Sequence, residues 1–157
     1  LSHLAGPGAF DEFLRSLRSL VFAILGVGVV TTIAAAAVGP AFISVVFGSS
    51  TTLSSRDIGL LAAAFILIMA TICIDQALIA LNGHSRMAAG WVLSLGVFVL
   101  VTAVAGPDLF LRVELGLLVA SAFAFGWMVV MLGERHRHHA RAHDVALAEA
   151  AAELPIQ

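Results

Sequence analysis

The sequence predicts an all-α integral membrane protein, a bundle of four transmembrane helices with an N-terminal amphipathic segment. Of its 157 residues, 61% are hydrophobic and only 11% are charged, whereas a soluble domain carries about 25% charged residues. The apolar residues form four long runs, and the charged residues fall almost entirely between them. Because so few polar residues are available to cover a surface, much of the apolar surface must face lipid.

Each apolar run is long enough to cross a bilayer as a helix. The runs cover residues 20–38, 58–81, 87–104 and 113–132 and contain 18 to 24 residues each, and about 20 helical residues span a hydrocarbon core of about 30 Å. Helices of this length satisfy every backbone N–H and C=O group in lipid. We therefore predict a membrane domain over residues 1–134 and a polar cytoplasmic tail over residues 135–157.

The segments on either side of the first span have distinct predicted roles. Residues 7–19 place apolar and charged side chains on opposite faces of a helix, so they either lie in the membrane interface or cap the bundle on the cytoplasmic side. Gly39-Pro40 predicts the end of the first span, because proline cannot continue the hydrogen-bond ladder and disfavours helix at the preceding residue. Residues 41–48 are uncharged but too short to cross again, and we expect them to lie along the outer surface.

Arginine placement predicts the orientation. Six arginines lie before the first span, between the second and third spans, and after the fourth span, and two lie in the other loops. The positive-inside rule then predicts a multi-pass protein of the cell membrane with both termini in the cytoplasm. Trp91 and Trp127 fall near the cytoplasmic ends of their spans, where tryptophan is typical of an interfacial anchor.

Asp75 is the most informative residue for function. It lies inside the second span, where a charged side chain costs at least about 2.5–3.5 kcal/mol on insertion scales. Thr71 and Asn82 share its helical face, and Gln76 is adjacent. We identify Asp75, Thr71, Gln76 and Asn82 as candidate substrate- or ion-binding residues facing a cavity. The alternative is a structural role for Asp75 as an interhelical hydrogen-bond partner.

Small residues recur at four-residue spacing in the last two spans. Gly90 and Ser94 lie in the third, and Gly116, Ala120 and Ala124 lie in the fourth. Small side chains let the backbones of membrane helices approach closely. This pattern predicts that the third and fourth spans are neighbours.

The sequence contains no arrangement typical of an enzyme or a cofactor site. It has no glycine-rich phosphate loop, no paired carboxylates and no catalytic triad, so we predict no enzymatic activity, no cofactor and no nucleic-acid partner. The histidines of residues 136–143 are interleaved with arginines, which favours a basic tail that meets anionic lipid headgroups over a metal site. Asp108, Arg112 and Glu114 are expected to be solvated or paired at the outer end of the fourth span.

The order of these features resembles the C-terminal part of the oligosaccharide flippase family of polysaccharide exporters, within the multidrug and oligosaccharidyl-lipid exporter superfamily. The resemblance covers about residues 1–134. It rests on LSHLAG at residues 1–6, the amphipathic stretch at 10–17, the segment from GP at 39–40 to FG at 47–48, and QALIAL at 76–81 followed by Gly83, His84 and Arg86.

The resemblance implies that the four helices are part of a larger two-lobe transporter. Such proteins export or flip isoprenoid-linked saccharides by alternating access, so the implied partners are membrane lipids, the saccharide carrier and the N-terminal helices of the transporter. The chain begins with Leu1 and not Met, and we expect a longer protein. Asp75 matches no family motif, and its role rests on the physical argument alone. A small four-helix scaffold or subunit of a membrane complex is the alternative.

The predicted orientation is tested by cysteine labelling in intact cells, after Cys73 is replaced by serine. Leu53→Cys and Leu109→Cys should react with a membrane-impermeant thiol reagent from outside, because both lie in predicted outer loops. His84→Cys and Ala140→Cys should react only after the cells are opened. The reverse pattern would contradict the orientation.

Overall fold

Four helices make up the part of the chain that the structure describes. The structure is a computed structural model that describes the backbone of residues 7–48, 53–81 and 83–152 and the side chains of residues 12–48, 53–81 and 83–134. The helices are α1 (Pro7–Phe47), α2 (Ser55–Ala80), α3 (His84–Val104) and α4 (Leu109–Ala152). Each contains a segment long and apolar enough to cross a membrane. The predicted all-α bundle of four apolar helices is confirmed.

Helix α1 runs without a break through the predicted stop at Gly39-Pro40. The prediction that the first span ends there, with residues 41–48 as a separate segment, is therefore wrong. Pro40 removes only one backbone donor, and membrane helices tolerate such a loss. Gly39 also packs closely on α2, since a Cβ atom at Gly39 would lie 2.8 Å from Cδ1 of Ile58. This tertiary contact supports the helix at the residue that local preference disfavours.

The two terminal helices are longer than a bilayer is thick. Helix α1 has 41 residues and α4 has 44, and at about 1.5 Å per residue both exceed about 60 Å, twice the hydrocarbon thickness. The predicted tail at residues 135–157 is helical and continuous with α4 as far as Ala152, and its cytoplasmic location stays a prediction. Residues 144–152 include five alanines, and alanine favours helix. Residues 153–157 and the histidine side chains of the tail lie outside the described residues.

Helix α2 begins a few residues before its apolar run because a polar cap starts it, whereas α3 begins after Gly83, which has no side-chain cap. In α2, Ser54 and Asp57 form a capping box, with the backbone N–H of Ser54 donating to Oδ2 of Asp57 at 3.0 Å. At the C-terminal end of α3, Arg112 donates from Nε to the carbonyl of Thr102 at 2.6 Å and from Nη2 to the carbonyl of Ala103 at 3.0 Å. These bonds satisfy carbonyl groups that a helix end leaves without partners.

The helices lie in the spatial order α1, α2, α4, α3. Helix α2 packs on α1 and on α4, α4 packs on α3, and α2 and α3 touch over only a small area. In the apolar window of α4, 28% of the residues are buried, compared with 6% in α1. The bundle therefore centres on α2 and α4, where Ile74, Leu78 and Met128 form the apolar core.

Close packing of α3 on α4 follows the predicted small-residue pattern. Gly90 lies against the indole ring of Trp127, and Gly116 lies against the ring of Phe98, with 3.2 Å between an added Cβ and Cδ2 of that ring. Neither position has room for a larger side chain without rearrangement. The prediction that these helices are neighbours is confirmed.

Two glycines of α1 give a matched test of the α1–α2 packing. A Cβ atom at Gly28 would overlap the side chain of Ile66, whereas one at Gly26 would meet nothing within 4 Å. Gly28→Ala should therefore destabilise the bundle by about 1–3 kcal/mol, the usual cost of overpacking. Gly26→Ala should be neutral or slightly stabilising, because alanine favours helix more than glycine does. Unfolding by SDS titration in mixed micelles measures both, and equal effects would contradict the packing.

Candidate functional site

Asp75 lies in the interior of the bundle, with only 5% of its surface exposed. Its Oδ2 atom accepts a hydrogen bond from Nε1 of Trp91 at 2.8 Å, which joins α2 to α3 where these helices otherwise hardly touch. Its Oδ1 atom is buried and has no hydrogen-bond partner among the described residues. The carboxyl group is thus held in place by one oxygen while the other is available to a proton, a cation or a donor group of a ligand.

The structure brings together only part of the predicted site. Thr71 is fully buried one turn before Asp75, and its hydroxyl donates to the carbonyl of Leu67 in the same helix at 2.7 Å. Gln76 is exposed and does not line the interior beside Asp75. Asn82 lies outside the described residues. The proposed binding role of these four residues stays a prediction.

Trp91 is a site residue that sequence reasoning did not identify. Its position near a helix end suggested an interfacial anchor, but its indole N–H is the partner of Asp75. Trp127 likewise donates to the backbone carbonyl of Arg86 at 3.1 Å. Tryptophan has one donor and no acceptor, and within an apolar bundle that donor needs an acceptor. This requirement was the available signal for pairing Trp91 with the nearest intramembrane carboxylate.

Glu114 is a second buried carboxylate, and the prediction that it is solvated or paired is wrong. Only 3% of its surface is exposed, and neither carboxylate oxygen has a hydrogen-bond partner among the described residues. The nearby Arg56 pairs with Asp57 at 3.1 Å. Glu114 is seven residues before Ser121, another buried polar residue, and fourteen before the core residue Met128. That heptad spacing was the sequence signal for an inward face of α4.

Of the other buried polar groups, the hydroxyls of Ser94 and Ser121 are satisfied within the bundle, whereas Oγ1 of Thr102 has no hydrogen-bond partner among the described residues. Ser94 of α3 donates to the carbonyl of Ala120 in α4 at 2.7 Å, and Ser121 donates to the carbonyl of Leu117 at 2.6 Å. Within the described side chains, no three His, Cys, Asp or Glu residues form a group that fits a metal ion. The chemistry of the interior therefore rests on its two carboxylates.

Fold and interior together define the class: a membrane protein of four apolar helices with buried acidic groups. Comparison of the chain with protein-family models, with curated proteins and with solved structures gives no match. The resemblance to the oligosaccharide flippases therefore stays a prediction.

Removal of the indole donor should destabilise the bundle. Trp91→Phe keeps an aromatic ring but leaves the Asp75 carboxylate without its hydrogen bond, at an expected cost of about 1–3 kcal/mol. Trp127→Phe is the control, because the acceptor it leaves behind is a more exposed backbone carbonyl. In an Asp75→Leu background, Trp91→Phe should cost much less. Unfolding by SDS titration compares the three single variants and the double variant with the natural protein. An unchanged cost of Trp91→Phe in the Asp75→Leu background would exclude the coupling.

Proposed function

We propose that this chain is part of a membrane transporter that exports or flips lipid-linked oligosaccharide or polysaccharide precursors by alternating access. In this proposal it supplies the C-terminal helices of one lobe in the cell membrane, both termini are cytoplasmic, and the chain has no enzymatic activity. The observation that carries the proposal is the buried Asp75 carboxylate with one unpartnered oxygen. The order of sequence features resembling the flippase family supports the class of substrate.

Keeping a carboxylate at Asp75 has a free-energy cost that favours a transport role. A charged side chain within the hydrocarbon is expensive, and ionisable residues at such depths commonly mark substrate or ion pathways. A purely structural bond to the Trp91 N–H needs only one acceptor oxygen, which a neutral amide also supplies. The second carboxylate oxygen adds desolvation cost without a partner in the described residues, so binding of a proton, cation or polar group gives it a role.

The packing also suits a conformational change. Helix α4 packs extensively on both α2 and α3, while α2 and α3 meet over a small area that the Asp75–Trp91 hydrogen bond crosses. Movement at this seam breaks few contacts besides that bond. A proton or cation bound at the free oxygen of Asp75 would neutralise the carboxylate and weaken its bond from the indole N–H, and occupancy of the site would thereby bias the α2–α3 arrangement. A ligand shifts a conformational equilibrium only through such differential contacts.

The proposal is tested by Asp75→Asn in the gene at its natural locus. Asparagine retains an oxygen that accepts from Trp91, so membrane insertion and unfolding should change little, whereas the acidic group is lost. We expect export of lipid-linked saccharide to fall by at least about tenfold, equivalent to about 1.4 kcal/mol. Ser121→Ala is the control, because its hydroxyl is buried but bonds only within α4.

The readout is accumulation of lipid-linked saccharide on the cytoplasmic face, measured with an impermeant enzyme that releases the sugar. Normal export by Asp75→Asn at normal protein levels would favour a scaffold in which Asp75 is only the structural partner of Trp91. Accumulation in both variants would indicate general damage to the bundle and would also contradict the assignment of Asp75.

A further inference from the structure

An apolar groove of about 480 Å³ opens between α1 and α4, with α2 at its base. Its walls include Val21 and Leu25 of α1 and Phe125 and Val129 of α4, and Ile74 of α2 closes the bottom. Neither Asp75 nor Trp91 belongs to the lining of the groove. It is therefore a feature separate from the proposed transport site.

The groove is about as long as one leaflet is deep. On α1 its lining runs from Leu14 to Leu25, which is a rise of about 16 Å at 1.5 Å per residue, compared with a hydrocarbon core of about 30 Å. It lies at the end of the bundle where α1 begins and the apolar part of α4 finishes, the end that the arginine distribution predicts to be cytoplasmic. The residues that line it thus border the inner leaflet.

The shape of the groove favours a hydrocarbon chain over a protein helix. A helix is about 10–12 Å across with its side chains, so a 16 Å length of it occupies more than roughly 1,200 Å³. The empty space of the groove is about 1030 Å³ even when the open space at its mouth is included, which is still smaller than this helix segment, whereas an extended acyl chain is much narrower than a helix. Its walls carry almost no polar atoms, and a buried water needs two to four polar partners. Lipid is the medium available to fill it.

Arg18 places a charge within the lining of the groove, about one helical turn from Leu14, where the lining of α1 begins. This residue belongs to the lining, and its guanidinium carbon lies 5.5 Å from the centre of the Phe22 ring. Among the described residues, no carboxylate forms an ion pair with Arg18. Across the groove, Gly133 has no side chain, and a Cβ atom there would meet nothing within 4 Å. An arginine beside open space is suited to bind a phosphate group.

We propose that this groove is a binding site for one anionic glycerophospholipid, with an acyl chain between α1 and α4 and the headgroup phosphate on Arg18. The lipid completes the surface between α1 and α4, which both pack on α2. It is a resident of the site and is not the transported molecule, so the inference does not depend on the proposed function.

The test compares lipid retention by the full-length gene product in nanodiscs made from equal amounts of phosphatidylglycerol and phosphatidylcholine. Protein is transferred to detergent and analysed by native mass spectrometry. Arg18→Gln should reduce retention of phosphatidylglycerol about fivefold, since one arginine at an anionic membrane surface contributes about 1 kcal/mol. Arg15→Gln is the control, because it removes the same charge from the same helix outside the groove lining.

A second pair of variants tests the acyl-chain position. Val129→Trp should fill the groove and reduce retention of both lipids, whereas Val130→Trp changes the neighbouring exposed residue outside the lining and should have no effect. Unchanged helical circular dichroism establishes that the variants are folded. Equal retention of the two lipids by the natural protein, equal losses with Arg15→Gln and Arg18→Gln, or normal retention by Val129→Trp would overturn the proposal. Retention of a second protein segment in the groove would overturn it as well.

Discussion

Lipid provides neither donors nor acceptors, so every hydrogen-bonding group within the spans must be satisfied by the protein itself. The hydroxyls of Thr71 and Ser121 bond back to their own helices, and Ser94 bonds across to Ala120. Arg112 supplies donors to the last carbonyls of α3. The same requirement keeps α1 helical through Pro40, because any other local structure would leave several backbone groups without partners. The buried side-chain oxygens that lack a partner among the described residues belong to Asp75, Glu114 and Thr102, and the first two are carboxylates.

In the interior of the bundle, α4 joins α2 to α3. Helix α4 contacts both α2 and α3 extensively, and small residues such as Gly116 and Ala120 let its backbone approach them. Helix α1 packs closely on α2, at positions such as Gly28 and Gly39. The buried polar residues therefore lie in α2, α3 and α4, whereas α1 borders the lipid.

Hydropathy and charge predicted the fold because the number of spans depends only on the length of apolar runs. Helix ends were predicted less well, since Gly39-Pro40 has a strong local preference that packing on Ile58 overrides. The interior position of Asp75 followed from the cost of exposing a carboxylate to lipid. The hydrogen-bond partner of Asp75 could not be predicted, because Trp91 is 16 residues away. The direction of the Trp91 side chain depends on how α3 is rotated about its axis. The burial of Glu114 was missed because its position near a helix end suggested solvent.

The pairing of Trp91 with Asp75 also determines what the intrinsic fluorescence of this chain reports. The chain contains two tryptophans and no tyrosine, so its near-ultraviolet absorption and emission arise almost wholly from two indoles. Both lie at the same end of the bundle, with Trp91 bonded to a carboxylate and Trp127 stacked on Phe123 at 6.2 Å between ring centres. Intrinsic fluorescence is therefore a local signal, which reports whether α2, α3 and α4 remain assembled at that end and is silent about the opposite side of the membrane.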